Sequence, residues 1–380
     1  MMRYLALILV LVFASCKHDS EDSFTNPMNE GGVLNIYIYP ADDPMVTRAD
    51  EGLVNAYAQE KAVKSLKIWV FKHANSMDDD LPLHYLSPDD IELQGSRAKL
   101  FRIALTAEQV EALTGDASQV DVYVLANAES IGQNSLDENS SRKEVHDALI
   151  STSYFSTTSL TTDISTNGLP MSGCGENISV KGTLPVLSLP VVKLTRCVSK
   201  LRFILAQNKD IDSEFSISSI QLDGYLFPAT ENVFNTSDLP YCISDVYVPG
   251  AINFTPPAEI AKSERVSDLV YKSQQAQDYE DIVDGYVERG EATQMGPYYF
   301  RESDKCLKGT IGYRIKEKDS PEVNKTISFS MSDVPGNYHF SRNHTWIVYA
   351  YYLGGEELHL NLAFVTSWNE EDRERDIYNW

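Results

Sequence analysis

The sequence predicts an all-β dominated protein that is built as two β-sandwich domains in tandem, with a few short helices. The chain has 380 residues, more than one typical domain, and 43% of them are hydrophobic, which is enough to fill two cores. Its 21 tyrosines, together with many valines, isoleucines and threonines, belong to the residue types that strands favour. These residues come in short runs at regular intervals, a pattern typical of β-sandwiches.

The first sixteen residues predict an export signal that is not part of the fold. A short basic start, Met1-Met2-Arg3, is followed at residues 4–14 by an apolar run that is too short to span a bilayer. The run closes with Phe13-Ala14-Ser15-Cys16, which looks like a lipobox, so Cys16 is expected to be acylated and to become the new N-terminus. Two or more acyl chains anchor a protein stably to a membrane. An ordinary signal peptide with an incidental cysteine is the alternative.

Residues 17–32 are predicted to form a tether. Residues 17–22 read Lys-His-Asp-Ser-Glu-Asp, similar to the short acidic signal that sends Bacteroidetes lipoproteins to the outer face of the outer membrane. A merely solvated segment is the alternative. We therefore expect the protein at the cell surface, attached to the cell outer membrane through acylated Cys16.

Charge and hydropathy narrow the range of partners. The formal net charge of −23 argues against nucleic acid and anionic lipid headgroups, because both would repel the chain. After the N-terminus, no stretch approaches the ~20 apolar residues that a membrane helix needs, so the rest of the chain is expected to lie outside the bilayer.

The first domain is predicted to occupy residues 33–195. Strands are expected at residues 33–39, where Pro40 ends the run, at 65–71, and at 120–126. Two helices are expected where capping-box spacing occurs, one starting at Thr106 and ending at Gly115, the other starting at Ser141.

The second domain is predicted to occupy residues 196–380, with the join within about ten residues of Thr195. A long strand-like run at residues 191–205 is expected to carry Arg196, Lys200 and Arg202 on a solvent-facing side. Further strands are predicted at residues 215–222, 307–315, 326–331, 345–352 and 358–365. The acidic segment 259–289 is expected to be a helical insertion or an ordered loop.

No constellation of catalytic, cofactor or metal residues emerges from the sequence. It has no G-x-S-x-G, no H-E-x-x-H, no Walker A segment and no dinucleotide fingerprint. The acidic clusters at residues 78–80 and 278–284 match no EF-hand register, and a solvated loop is the simpler interpretation. We therefore predict neither an enzyme nor a bound metal or cofactor.

The four later cysteines are far apart in the sequence and form no C-x-x-C pair. One or two disulfides and buried free thiols both remain open for Cys174, Cys197, Cys242 and Cys306.

Four motifs together resemble the Bacteroidales fimbrillins, the type V pilins. They stand in family order behind the lipobox and span nearly the whole chain. In sequence order, they are Gly168-Leu169-Pro170-Met171-Ser172-Gly173, Leu194-Thr195-Arg196-Cys197-Val198-Ser199-Lys200-Leu201, Arg342-Asn343-His344-Thr345-Trp346 and Val365-Thr366-Ser367-Trp368.

The resemblance implies two transthyretin-like sandwiches and an assembly route. In that family an Arg-specific protease cuts the loop after the first strand, and the C-terminal strand of another subunit fills the groove that opens. Here the first strand is residues 33–39, and the cut is expected between Arg48 and Ala49, although an ordinary exposed loop arginine is the alternative. The donor candidates, near residues 358–380, are Leu358, Leu360, Leu362, Phe364, Ile377 and Trp380.

The predicted function is that of a fimbrium subunit in cell adhesion, whose partners are other fimbrillin subunits. The alternative is a surface lipoprotein that does not polymerise: a pilus anchor, a pilus tip or a glycan-binding module. For a glycan binder, the pairs Tyr298-Tyr299 and Tyr351-Tyr352 are the aromatic candidates, with one ring of each pair expected in the core.

Overall fold

The computed structural model describes residues 32–39, 58–74, 79–88, 99–114, 119–151, 164–234, 246–266, 285–331, 339–365 and 375–379. The strands of the N-terminal half are β1 Gly32–Tyr39, β2 Leu66–Lys72, β3 His84–Leu86, β4 Lys99–Leu105, β5 Gln119–Ala126, β6 Leu149–Ser151, β7 Met171–Ser179, β8 Lys181–Thr183, β9 Val186–Ser188, β10 Val192–Lys193 and β11 Thr195–Arg196. Those of the C-terminal half are β12 Ser199–Asn208, β13 Glu214–Leu222, β14 Thr230–Asn232, β15 Ile252–Phe254, β16 Lys262–Ser263, β17 Thr293–Phe300, β18 Ser303–Cys306, β19 Lys308–Lys316, β20 Val323–Ser330, β21 His339–Phe340, β22 Thr345–Tyr352, β23 Leu358–Val365 and β24 Arg375–Asn379.

The helices are short, and both predicted helix starts are confirmed. They are α1 Ala58–Lys61, α2 Ala107–Thr114, α3 Arg142–His146 and α4 Ile164–Asn167, besides a 3-10 turn at Ala128–Ile131 and a helical turn at residues 285–288. Before α2, Thr106 Oγ1 accepts the Gln109 N–H at 3.2 Å and the Gln109 side chain accepts the Thr106 N–H at 2.9 Å. Ser141 and Glu144 form the same reciprocal box before α3. Each box satisfies backbone donors that a helix start leaves open.

The N-terminal half folds as two sheets around one core. The first sheet has the order β10-β1-β9-β8, with β4 also paired to β1, and the second has the order β11-β7-β5-β2-β3. Alternate side chains of both sheets meet between them, as in Ile36 of β1 and Val122 of β5. This alternation is the period-two pattern that the sequence predicted for these strands.

The C-terminal half repeats the arrangement with two further sheets. One has the order β16-β12-β22-β23-β24, with β17 also paired to β12, and the other has the order β15-β13-β19-β20. Phe203, Trp346 and Leu360 from the first of these sheets pack against Ile220 and Tyr313 from the second. The predicted all-β fold is thus confirmed, while the domain boundary near Thr195 stays a prediction.

The two halves also share secondary structure. Strand β14 of the C-terminal half pairs antiparallel with β6 of the N-terminal half. Val233 and Phe234, which follow β14, pack in one cluster with Trp69 and Tyr123 on the outer face of the second sheet. That face is consequently buried under residues 128–150 of the same half together with Val233 and Phe234 of the C-terminal half.

Asn127, which precedes the 3-10 turn, connects its own segment by hydrogen bonds to residues 62–65 and to Leu169. Its backbone is left-handed, with φ of 58°. Its Oδ1 atom accepts the Lys64 N–H at 2.7 Å and the Ser65 N–H at 3.3 Å. Its Nδ2 atom donates to the carbonyls of Ala62 at 2.9 Å and Leu169 at 2.6 Å. One buried side chain therefore bonds four backbone groups, of which the Leu169 carbonyl is itself buried.

We expect Asn127→Ala to lower the free energy of unfolding by at least about 3 kcal/mol. The substitution leaves several at least partly buried backbone groups without a hydrogen-bond partner, and alanine must still adopt the unfavourable left-handed φ. Asn127→Gly removes the same bonds but tolerates the left-handed backbone, so it should be roughly 1 kcal/mol less harmful than the alanine. Urea denaturation of both variants measures the difference. Equal stability of the alanine variant and the natural chain would contradict this role.

Candidate functional site

Strand β1 is an internal strand of the first sheet. Along one edge it pairs antiparallel with β4, from Gly32 opposite Leu105 to Ile38 opposite Lys99. Along its other edge it pairs parallel with β9 and then with β10. The predicted first strand therefore hydrogen-bonds to neighbours on both sides, and its removal would separate β4 from β9 and β10.

The side chains of β1 alternate strictly between core and surface. Leu34, Ile36 and Ile38 are fully buried, whereas Tyr37 is exposed. Fully burying one such aliphatic side chain contributes roughly 1.5–3 kcal/mol, so the three together stabilise the seated strand by roughly 5–9 kcal/mol. A vacated β1 position would be an apolar groove for three aliphatic side chains, bordered by two unpaired strand edges.

The two predicted donor strands occupy different positions in their sheet. Strand β23 is internal and pairs with β22 and β24, and Leu358, Leu360 and Leu362 are buried in the core of its own chain. Strand β24 lies at the end of its sheet and pairs with β23, from Asn361 opposite Asn379 to Val365 opposite Arg375. Within the described strands, β24 is therefore the C-terminal element whose release leaves the paired core strands in place.

Several predicted site residues lie outside the described residues. These are Cys16, Arg48, Ala49, Trp380 and Cys242. The backbone positions of Phe364 and Ile377 are described as parts of β23 and β24.

Helix α1, which follows the Arg48 segment, is fixed by a buried acid. Glu60 accepts the Lys200 ammonium at 3.1 Å and the Tyr299 hydroxyl at 2.6 Å. The Glu60 carbonyl accepts Arg196 Nε at 3.0 Å, and Arg196 Nη1 donates to Asn343 Oδ1 at 2.9 Å. We call Glu60, Arg196, Lys200 and Tyr299 the Glu60 clamp. It ties α1 to strands β11, β12 and β17.

The predicted solvent exposure of Arg196, Lys200 and Arg202 is wrong, because all three side chains are buried. Strand β12 does alternate as expected, with Leu201, Phe203 and Leu205 in the sandwich core. Its opposite face, however, is covered by α1 and by a second layer that includes Val266 and Tyr286. The polar side chains turn away from the core and still do not reach water. No sequence pattern on β12 shows that cover.

The prediction that only one ring of the Tyr351-Tyr352 pair is in the core is also wrong, because the same covering layer buries the other ring. Tyr351 and Tyr352 are both fully buried, the first under the covering layer and the second in the sandwich core. For the other pair, Tyr299 is buried as expected and Tyr298 is partly buried. Neither pair presents two exposed rings to a ligand.

A second buried cluster surrounds Arg342, a residue of the third family-like motif. Its Nη2 atom lies 2.8 Å from Glu231 Oε1, and its Nε atom lies 3.1 Å from Glu302 Oε2. Its Nη1 atom donates to Ser172 Oγ at 3.3 Å and to the Val233 carbonyl at 2.6 Å. We call Arg342, Glu231 and Glu302 the Arg342 cluster. It joins β7 of the N-terminal half to the β21–β22 turn of the C-terminal half.

Burial governs the protonation of this region. It raises the pKa of the Glu231 carboxyl to about 7, against the lowering effect of Arg342. Burial also raises the pKa of the Cys197 thiol to about 11, so this free thiol is protonated and unreactive. Glu60, Glu231 and Glu302 could not be predicted from the sequence, because isolated glutamates in polar surroundings carry no signal of burial.

The remaining acidic candidates have structural roles or no described geometry. Asp80, from the acidic cluster at residues 78–80, pairs at 2.8 Å with the buried Arg142, which also pairs with Asp121 at 2.7 Å. The described residues contain no group of side chains suited to hold a metal ion. Nor does that part of the chain contain a helix long and apolar enough to cross a membrane.

No protein-family model and no curated protein matches the sequence.

Solved structures match its fold. A candidate cell adhesion protein from Parabacteroides distasonis aligns with a TM-score of 0.51 over 92% of this chain and 97% of its own, at 12% identity. A candidate cell adhesion protein from Bacteroides eggerthii aligns with a TM-score of 0.48 over 88% of this chain and 96% of its own, at 10% identity. The tip fimbrial protein Mfa3 from Porphyromonas gingivalis, truncated at its C-terminus, aligns with a TM-score of 0.44 over 92% and 99%, at 14% identity.

The Parabacteroides match shows a shared fold across nearly the whole of both chains. The predicted resemblance is thereby confirmed as a fold shared with a candidate cell adhesion protein of the Bacteroidales.

We expect Glu231 to make stability fall as pH rises. Its pKa is about 7 in the folded chain against 4.5 in the unfolded one, so the folded state holds the extra proton between those values. The stabilisation is fully present below the unfolded pKa and is lost as pH rises through 7, with a slope of up to about 1.4 kcal/mol per pH unit. Urea denaturation from pH 4.5 to 8 measures that slope, and Glu231→Gln should reduce it.

Glu264→Gln is the matched control, because Glu264 is exposed and pairs with Lys209 at the surface. It should leave the slope of the natural chain unchanged. The role of Glu231 is refuted if the Glu231→Gln variant keeps the full slope.

Proposed function

We propose that this chain is a fimbrillin-like pilus subunit that serves cell adhesion. It is exported as a lipoprotein, acylated at Cys16, displayed on the cell outer membrane, and cut after Arg48 by an Arg-specific protease. Removal of the first strand then lets another subunit donate a strand. In this role the chain is an interaction protein and not an enzyme, and its partners are other fimbrillin subunits.

The internal position of β1 is the observation that carries the proposal. An incoming strand in that place gains main-chain hydrogen bonds from β4 on one edge and from β9 and β10 on the other. Three core positions, those of Leu34, Ile36 and Ile38, supply the apolar contacts that select its side chains. A strand at a sheet edge would leave no such two-sided groove.

The connection between β1 and α1 supports a cut at Arg48. Residues 40–57 form this connection, and Arg48 lies near its middle. The Glu60 clamp holds α1 by contacts that do not involve β1. Cleavage after Arg48 would therefore divide the chain between the strand to be released and a helix that stays fastened to the body.

The C-terminal strands limit which segment serves as donor. Leu358, Leu360 and Leu362 fill the chain's own core. Donation of β23 to another subunit would therefore open the core of the donor while it filled the groove of the acceptor. We therefore assign donation to β24 and the residues around it, including Ile377 and Trp380. Donation from one subunit into the next is a heterologous contact that need not close, so it produces filaments.

A second candidate is a subunit that accepts a strand or keeps its own, without donating: a pilus tip or anchor. The burial of the β23 leucines in their own core favours it, since the strongest alternating aliphatic run near the C-terminus is not available to a partner.

Digestion of the lipid-free chain with an Arg-specific protease tests the proposed cut. We expect one early cleavage after Arg48, release of the fragment that contains β1, and oligomers or fibres in electron micrographs. Arg142, Arg196, Arg202 and Arg342 are buried and should resist. Arg48→Lys should abolish both release and assembly, because the protease requires arginine.

Arg289→Lys is the matched control for that digestion, because the Arg289 side chain is half-exposed in a turn of the C-terminal half. It should leave strand release unchanged. A chain that is cut after Arg48 but stays monomeric would favour the tip or anchor role over a polymerising subunit.

A disulfide lock tests whether β1 must leave. Asn35 on β1 and Arg102 on β4 are direct cross-strand partners, and neither side chain lies in the core. Directly opposed residues of antiparallel strands lie within the range that a disulfide spans. The double variant Asn35→Cys, Arg102→Cys, oxidised and then cut after Arg48, should retain β1 and form no oligomers.

Reduction of the same sample with dithiothreitol should restore release and assembly. Each single-cysteine variant is a control and should assemble under both conditions. Assembly of the oxidised double variant at the natural rate would show that β1 need not leave.

A further inference from the structure

An exposed aromatic ring stands above a small apolar cavity in the C-terminal half. Tyr225 lies between β13 and β14 and is 62% exposed. Its backbone is left-handed, with φ of 63°. A bulky residue in that conformation is strained, and strain of this kind persists only where the surroundings impose it.

The surroundings of Tyr225 impose its conformation through a second loop. The Tyr225 N–H donates to the Val248 carbonyl at 3.1 Å, and the Val248 N–H donates to the Phe227 carbonyl at 3.0 Å. Gly224 packs so closely that a Cβ there would lie 2.7 Å from the Gly250 carbonyl oxygen. The loop that carries Tyr225 and the loop that carries Val248 are thus joined by backbone hydrogen bonds and close packing. This contact fixes the backbone of Tyr225, whose ring is exposed.

Beneath the ring lies a cavity of about 60 Å³. Phe227 and Phe300 form part of its wall, and their rings stack at 4.7 Å with an angle of 9°. Both of these rings are buried, so this part of the wall is apolar and tightly packed. The space admits a methyl or acetyl group but is far too small for a whole ligand, whose sites typically measure about 300–1,000 Å³.

The rim combines apolar and polar groups. Val248 and Asp223, which both line the cavity, are exposed, and the buried Arg301 is a second charged residue of the lining. An occupant that fits must lay an apolar face on the Tyr225 ring, place one small apolar substituent in the cavity and offer a donor to Asp223. The net charge of −23 disfavours an anionic occupant.

We propose that Tyr225, Asp223 and the cavity between Phe227, Val248 and Phe300 form a binding site for a neutral saccharide that carries a methyl-bearing substituent. N-acetylhexosamines and 6-deoxyhexoses have this chemistry, since each presents a methyl group beside a ring with an apolar face. The site gives the adhesive part of the proposed function a ligand class, and it rests on that adhesive role. It does not depend on strand exchange, because its residues belong to neither β1 nor β24.

Saturation-transfer NMR on the intact, uncleaved chain tests the site with three probes: N-acetylglucosamine, L-fucose and glucose. We expect transfer from the protein to be strongest at the methyl protons of the first two sugars, because those protons enter the cavity. Glucose has no such group and should bind about tenfold more weakly or not at all. The use of uncleaved chain separates this result from the outcome of the protease experiment.

Tyr225→Gly removes the ring and also relieves the left-handed backbone, so the fold should be at least as stable while sugar binding falls by about tenfold. Tyr225→Phe keeps the ring and should keep binding. Ala251→Trp, at an exposed position on the cavity wall, should keep the methyl group out of the cavity.

Saturation transfer that is equal for all three sugars, or unchanged in Tyr225→Gly, overturns the proposal. Self-association of the chain that Tyr225→Gly abolishes would overturn it too, by assigning the patch to a protein interface.

Discussion

The pairing of β1 on both of its edges is the constraint on which the N-terminal half depends. Within the described residues, β4 pairs with β1 alone, and β9 and β10 meet the rest of their sheet through it. Every backbone donor and acceptor of a buried strand needs a partner, so a vacated β1 position would be unstable until another strand entered. In the proposed strand exchange, the element that completes the sheet is also the one whose replacement would link one molecule to another.

The two halves are joined by buried charge as well as by packing. The Glu60 clamp pairs Glu60 of the N-terminal half with Lys200 and Tyr299 of the C-terminal half. Arg342, which pairs with Glu231 and Glu302, also donates to Ser172 of the N-terminal half. Breaking a buried pair by removing one partner typically costs about 3–5 kcal/mol, because the other charge is then left without compensation.

Period-two patterning predicted the strands well and failed where a third layer covers a sheet. It located β1, β2, β5, β13 and β22 with errors of at most one residue at either end. It assigned Arg202 and Lys200 to a surface because polar residues on alternate positions of a strand usually face water. Here α1 and the segment around Tyr286 lie over that face, and these covering segments come from distant parts of the chain.

The sequence by itself determined the local elements, since strand alternation and capping boxes depend on neighbours a few residues away. It also determined the motifs that resemble fimbrillins and the candidate processing residues Cys16 and Arg48. Only the tertiary structure decided that β1 is internal, that the β23 leucines belong to their own core, and that Tyr225 stands above a cavity. These facts depend on contacts between residues far apart in the chain, and a single sequence does not record which distant segments meet.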